Sequence, residues 1–212
     1  YSVDYILQFL KYSSWIKRNK YKFKKIFKKR EDLYKYLNKS LIKNNKIIYL
    51  EFGVANGDSF KQWLSLNTNK KSTFFGFDTF TGLPENYKNP FYNLSKGNFS
   101  QNGKYPLIKD SRHKFFKGLI QKTLPIYLRK LKTKTEFLVV NVDVDLYTAT
   151  LFILTHLKYH IPKKNIFIFD EFATGIHEFR AFKDFIDSYN IKYKLIASSD
   201  DCYSRVALKF II

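Results

Sequence analysis

Apolar residues follow two different periods along this chain, and the change falls near residue 46. Before it, apolar positions recur at Val3, Ile6, Leu7 and Leu10, at Phe23, Ile26 and Phe27, and at Leu33, Tyr34, Leu37 and Leu41. Spacings of three and four put such residues on one side of a helix, so this segment predicts amphipathic helices. From Ile47 short apolar runs take over, at Ile47–Phe52, Thr73–Phe77, Lys114–Ile120, Phe137–Val142, Asn165–Phe169, Tyr193–Ala197 and Val206–Ile211. Stretches of helical period lie between most of them, at Phe60–Leu66, Leu124–Leu131, Thr148–His160 and His177–Tyr189. Near-continuous apolar strands alternating with helices predict an α/β unit whose sheet is largely parallel and covered on both faces. Pro162 and Asn165 mark a helix end ahead of a strand. The chain therefore divides into a basic helical extension, residues 1–46, and an α/β domain, residues 47–212. No internal repeat interrupts this order. Leu83–Asp110 is long, polar and rich in Asn, Gly and aromatics, with Pro84, Pro90 and Pro106. A loop of that length inside a compact domain is usually functional, and it reads as a lid or acceptor-binding loop.

Composition narrows the class. Across 212 residues, 45% hydrophobic and 19% aromatic content supports a sizeable core and excludes disorder as the overall description. The longest apolar runs are too short to span a bilayer. One cysteine, Cys202, excludes a disulfide framework and a cysteine-based zinc site. Ser2–Leu10 is broken by Asp4 and Gln8 and no small-residue cleavage site follows, so it does not read as a signal peptide, and a cytoplasmic protein is expected. The charge is extreme: 38 Lys and Arg against 18 Asp and Glu, a net +20. Fourteen of those cations fall between Lys11 and Lys46, against Glu31 and Asp32 alone. Such a field would attract an anionic partner, whether nucleic acid, membrane surface or acidic glycan. The interleaving of Lys20, Lys22, Lys24 and Lys25 with Tyr21 and Phe23 suits contact with phosphate and bases, yet a solvated helix face with inward aromatics produces the same pattern. The excess also lies in Lys, beside many Asn, Ile, Phe and Tyr, as an A/T-rich coding sequence would give. An exposed apolar face on these helices is compatible with a homodimer.

The candidate chemistry sits at strand ends. Ile47–Phe52 runs into Glu51-Phe-Gly53-Val54-Ala-Asn56-Gly57-Asp-Ser59, with a helix to follow. Glycines let the backbone turn tightly there and approach a ligand without a Cβ in the way. The next strand ends in Gly76-Phe-Asp78-Thr79-Phe80, where an acid is placed to bind the two hydroxyls of a ribose. A dinucleotide site requires G-x-G-x-x-G, but Ala55 stands where the second glycine belongs and Glu51 precedes the first. An acid at that point would repel a pyrophosphate and tolerate a cation, which favours a sulfonium cofactor with an amino-acid tail over NAD. A third strand delivers Asn141-Val-Asp143-Val-Asp145-Leu-Tyr147, and a fourth delivers Asp170-Glu171. Alternation points Asp143 and Asp145 the same way while they stay extended. Carboxylates gathered at the ends of adjacent strands repel one another, and a hard divalent cation such as Mg²⁺ would relieve this; pairing with lysines or helix capping would relieve it too.

Taken in order, EFGVANGDS, GFDTFTGLPE, KGLIQKTLP, NVDVDLYTAT and IFIFDEF resemble class I S-adenosylmethionine-dependent methyltransferases, and more narrowly the macrocin O-methyltransferase group, which methylates sugar hydroxyls with a divalent metal. The resemblance runs from about Ile47 to Tyr189 and leaves out the lysine-rich N-terminal region. It implies a doubly wound, mostly parallel, seven-stranded Rossmann-like sheet. It also implies that Glu51, Gly53, Val54, Asn56, Gly57 and Ser59 shape the methionine end of a cofactor pocket, with Ser59 near the carboxylate. Asp78, with Thr79 and Phe80, would hold the ribose, and the segment around Gly118 would lie near the adenine. Asp143, Asp170 and Glu171 would hold the metal, with Asp143 doubling as the base and Asn141 facing the same way. Glu171 departs from the second Asp common in close relatives.

The expected reaction is direct transfer of a methyl group to a hydroxyl of a sugar, glycan or glycosylated small molecule. His177, at a helix start, is a secondary candidate base. His113, His156 and His160 have no partner pattern, Asp200 and Asp201 read as turn residues, Trp15 and Trp63 fit core or interface positions, and Cys202 reads as inert. Other readings are an RNA methyltransferase, a catechol-like small-molecule O-methyltransferase, and a nucleic-acid-binding module that has kept the fold without the activity.

Overall fold

In a computed structural model, residues 3–89, 92–131, 137–200 and 202–212 are described; Ser2, Pro90 and Asp201, singled out above, lie outside them. The chain opens with helix α1 (Val3–Asn19), strand β1 (Lys25–Phe27) and helix α2 (Arg30–Tyr36), which continues as a π-turn over Leu37–Ile42. The alternating portion follows as β2 (Ile47–Phe52), α3 (Asp58–Leu66) and β3 (Thr73–Asp78). A small hairpin, β4 (Tyr87–Lys88) and β5 (Asn93–Leu94), precedes β6 (His113–Lys117) and α4 (Ile120–Leu128). Then come β7 (Phe137–Val142), α5 (Tyr147–Leu157), β8 (Asn165–Phe169), α6 (Glu178–Ser188), β9 (Lys192–Ser199) and β10 (Arg205–Ile211).

Eight strands form one sheet in the order β1-β9-β10-β8-β7-β2-β3-β6, and β10 alone runs antiparallel to its neighbours. All seven strands expected from the apolar runs are in it. Their alternation explains the two-sided burial: Ile48, Leu50 and Phe52 face one core with α4, α5 and α6, while Ile47 and Tyr49 face another with α2 and α3. Every residue of β2 is buried, as a strand covered on both faces requires.

The N-terminal segment departs from expectation. Phe23, Ile26 and Phe27, read as part of a helix, lie instead in and beside β1, which pairs in parallel with Ala197–Ser199. Helix α1 stops at Asn19, whose side-chain amide donates to the Trp15 carbonyl at 2.8 Å and takes up a helix-end acceptor. Beyond it, Phe23 stacks on Tyr203 and Phe27 packs on Tyr36, contacts that outweigh a three-residue helical spacing. Lys24, Lys25 and Lys28, all exposed, guard this sheet edge against further strand pairing. The extension is thus woven into the fold. Trp15, 3% exposed, packs its ring against Phe172, Phe179 and Phe182, and its indole N–H donates to the Tyr193 hydroxyl at 2.9 Å. Trp15→Ala should therefore destabilise the whole protein by about 3–5 kcal/mol in denaturant titration, with one transition. An unchanged midpoint would mean that the segment is a loosely attached appendage.

Candidate active site

Beyond the strand ends the sheet continues for one more residue. Phe52 lies level with Phe77 on one side and Val142 on the other, and Val142 is level with Phe169. Backbone hydrogen bonds then join Gly53 N–H to Phe77 O (2.9 Å), Asp143 N–H to Phe52 O (2.9 Å), Asp170 N–H to Val142 O (3.1 Å) and Gly118 N–H to Asp78 O (2.9 Å). The four connections leave the sheet from one level and open a cavity of about 350 Å³, a size typical of small-molecule sites. Gly53 has φ +84°, and a Cβ there would overlap the carbonyl oxygen of Asp143, so only glycine lets these two connections pass.

Of the residues assigned from sequence, Gly53, Val54, Asn56, Ser59, Asp78, Thr79, Asp143, Asp170 and Glu171 line this cavity. Asp78 braces the glycine turn: one carboxylate oxygen accepts from the N–H groups of Val54 (2.7 Å) and Ala55 (2.8 Å), the other from Phe80 N–H (2.6 Å). A carboxylate has roughly four lone-pair sites, so capacity for a hydroxyl remains. Gly57, Phe80 and Gly118 are outside the lining. Gly57, at φ +80°, turns the chain into α3; Phe80 is fully buried under the turn; Gly118 directs Leu119, Ile120 and Gln121 into the wall in its stead. The loop after β3 contributes Leu83, Pro84 and Phe99, and is tied down where Thr148 Oγ1 donates to Glu85 at 2.7 Å.

Two expectations change. Glu51 is not the charge that meets a ligand: it is fully buried beneath the turn, accepting from the hydroxyls of Ser59 (2.8 Å) and Tyr49. Burial pushes its carboxyl up to about 8 against the lowering effect of those hydrogen bonds, so it is largely neutral at pH 7. His177 is outside the lining as well. Its Nδ1 accepts from Tyr147 N–H at 3.3 Å, leaving Nε2–H to donate to Lys88 O at 2.9 Å, and its ring stacks on Tyr87. Burial lowers its pKa, in keeping with a neutral ring that fastens the loop hairpin to α5 rather than a base.

Sequence reasoning missed Arg30, which reaches the cavity from the start of α2, and gave no role to Arg205. Arg205 grips Asp170 through Nε–H to Oδ1 (2.7 Å) and Nη2–H to Oδ2 (3.2 Å). Asp143 and Asp145 stand past the end of β7, and Asp145 has φ +60°, so both reach the cavity from a turn rather than by strand alternation. Asn141 stays inside the strand, where its Oδ1 accepts from the Tyr34 hydroxyl at 3.3 Å. Desolvation drives the Asp143 carboxyl well above the usual range; repulsion from Asp170, Asp145 and Glu51 adds to this and Arg30 opposes it. Desolvation, with repulsion from Asp170, also raises Asp145 to about 6 and Glu171 to about 7.

The same acids were assigned to a metal. Their chemistry, hard oxygen donors under mutual repulsion, suits a divalent cation. Their placement does not: among the described residues no three His, Cys, Asp or Glu side chains form a ligand set, and both oxygens of Asp170 are taken by Arg205. As arranged, the acids do not form a ligand set, and Asp170 would have to leave Arg205 to join one.

A buried acid that titrates near 8 leaves a mark on stability. Its folded pKa lies above the value of about 4.3 in an unfolded chain, so its contribution is complete below pH 4.3, declines as pH rises and is gone above 8. Stability of the ligand-free protein should fall by as much as about 1.4 kcal/mol per pH unit from this residue between pH 5 and 8. In Glu51→Gln that slope should be correspondingly smaller; an identical slope in urea titrations would show that Glu51 is already ionised.

A family model described as macrocin O-methyltransferase (TylF) matches residues 48–202. Among solved structures the fold is similar to CalS11, a calicheamicin methyltransferase (TM-score 0.63, 20% identity, covering 84% of this chain and 77% of that one). It is similar also to the O-methyltransferase NovP (TM-score 0.61, 20% identity, 85% and 78%) and to the methyltransferase PaMTH1 of Podospora anserina with S-adenosylhomocysteine bound (TM-score 0.55, 12% identity, 97% and 88%). No curated protein matches the chain in sequence. A family match over most of the chain, on a sheet whose glycine turn and ribose-type acid meet in one cavity, places it in the macrocin O-methyltransferase family, as an S-adenosylmethionine-dependent O-methyltransferase.

Proposed function

We propose that the protein methylates a hydroxyl of a sugar or of a glycosylated small molecule, with Asp143 as the base. The observation that carries this reading is the electrostatics of the cavity. In a chain of net charge +20, its lining holds six carboxylates, those of Asp58, Asp78, Asp143, Asp145, Asp170 and Glu171, and one basic side chain, Arg30. A cationic sulfonium is favoured there and a pyrophosphate is not. With the ribose at Asp78 and the methionine part along Gly53–Ser59, the sulfur would fall near the acids at the end of β7.

Bond making is simple in this scheme. The acceptor oxygen attacks the methyl carbon, the carbon–sulfur bond breaks, and the electron pair leaves on a neutral thioether. The cofactor carries the reactive group, so the protein supplies alignment, exclusion of water and a place for the hydroxyl proton. Asp143 can take that proton, and the desolvation that raises its pKa makes its ionised carboxylate a stronger base than an exposed one. Leu83, Pro84 and Phe99 line the cavity from the loop side and give that wall an apolar surface.

Support for a sugar acceptor comes from the family and from CalS11, described as a TDP-rhamnose 3'-O-methyltransferase. A second cavity of about 570 Å³ suits such an acceptor. Tyr12, Tyr92 and Tyr203 offer aromatic faces, Lys17 and Lys20 offer cations for an anionic substituent, and Glu171 borders both cavities.

Asp143→Asn should lower kcat by roughly 10²- to 10⁴-fold while S-adenosylhomocysteine still binds within about threefold of wild type, measured by calorimetry. Full turnover in that variant would remove Asp143 as the base. One observation favours a second, metal-assisted reading: repulsion among Asp143, Asp145, Asp170 and Glu171 is met by Arg30 and Arg205 alone among the described groups that act on them. It requires Asp170 to exchange Arg205 for the ion. Loss of turnover in EDTA, restored by Mg²⁺, would select that reading; full turnover in EDTA would select the metal-free one.

A further inference from the structure

Arg30 belongs to no part of the family match, which begins at residue 48, yet it stands in the wall of the catalytic cavity. The fold takes it there deliberately. Strand β1 joins the sheet edge, Asp200 N–H bonds the Phe27 carbonyl at 2.8 Å, and α2 begins three residues later with Arg30 as its first residue. Leu33 and Tyr34 bury the inner side of α2, and the Tyr34 hydroxyl donates to Asn141 in β7. The helix start is thereby fixed over the carboxyl ends of β7 and β8.

The guanidinium compensates charge but makes no side-chain hydrogen bond among the described residues. Its side chain is 26% exposed, and its one close acceptor among the described residues is Asp170 Oδ1 at 3.8 Å, beyond hydrogen-bond distance. Arg205 already engages both oxygens of Asp170, so Arg30 acts there only as a longer-range counter-charge. What remains is a planar fork of up to five N–H donors, partly desolvated and facing a ligand cavity. An anionic group entering that cavity would be repelled by those acids of the lining that stay ionised and attracted at this one point.

We infer that Arg30 is the anchor for the α-carboxylate of the cofactor's methionine tail, so that the N-terminal segment completes the cofactor site. The inference rests on the reading of the cavity as the cofactor site. A carboxylate matches the guanidinium fork bidentately, while the neighbouring α-ammonium finds the acids around it. Asp78 at the far side of the glycine turn then takes the ribose, and the two ends of the ligand are held by opposite charges from separate parts of the chain.

The test is calorimetric titration of the full chain with two probes: S-adenosylhomocysteine, and its decarboxylated counterpart, which keeps the amine and lacks only the carboxylate. Arg30→Gln should weaken S-adenosylhomocysteine roughly ten- to a hundredfold and leave the decarboxylated probe within about threefold, or tighten it. Arg30→Lys, which keeps a charge beside Asp170, should lose several-fold on the first probe alone, and it decides the matter if the Gln variant does not fold. Equal losses on both probes would make Arg30 a structural counter-ion, and no loss on either would leave it to an anionic acceptor; both results overturn the inference. Wild-type protein that binds neither probe would instead overturn the reading of the cavity itself.

Discussion

The level ending of four parallel strands is the constraint on which the rest of the structure depends. Because β2, β7 and β8 each keep one ladder hydrogen bond past their ends, level with Asp78 at the end of β3, the glycine turn, the Asp78 turn and the acids after β7 and β8 leave the sheet together. The contact between the Gly53 backbone and the Asp143 carbonyl is the tightest point of this assembly, and it leaves no room for a side chain. Chemistry at such a site follows from topology: a right-handed crossover returns each strand in the same direction, so ligand-facing residues collect at one edge.

Charge is then sorted by depth. The surface is strongly basic, while the cavity is acidic, and Glu51 beneath it avoids ionisation by burial. Three carboxyls at the strand ends have raised pKa values because each loses water and faces the others, with Arg30 and Arg205 as partial compensation. Perturbed acids concentrated in one cleft are a usual property of functional sites, and here the perturbation has a stated physical origin.

The central strands β2, β7 and β8 were legible because both of their faces are buried, which forces continuous apolar runs that few helices imitate, and the others because enough of that apolar character persists toward the sheet edges. The glycine turn, Asp78 and the strand-end acids were legible because their positions follow from where those runs stop. Strand β1 was not: its three residues acquire their conformation from pairing with β9 and packing against Tyr203 and Tyr36, partners roughly ten to 180 residues away. Arg30 was hidden for a similar reason, as one cation among fourteen in a segment whose charge looked generic. His177 misled because a histidine beside an acid at a helix start gives no sign, in sequence, of the two backbone groups that occupy its ring. Glu51 was placed correctly and its charge was not, since ionisation depends on burial that no local pattern records.

The central claim is that one cavity presents the cofactor's sulfur to Asp143. A crystal structure with S-adenosylhomocysteine addresses it directly. The ribose hydroxyls should lie on Asp78, the backbone of the glycine turn against the ligand, and the sulfur should turn toward the Asp143 carboxylate. Density for the ligand elsewhere, or in this cavity with its sulfur pointing away from the ends of β7 and β8, would contradict it.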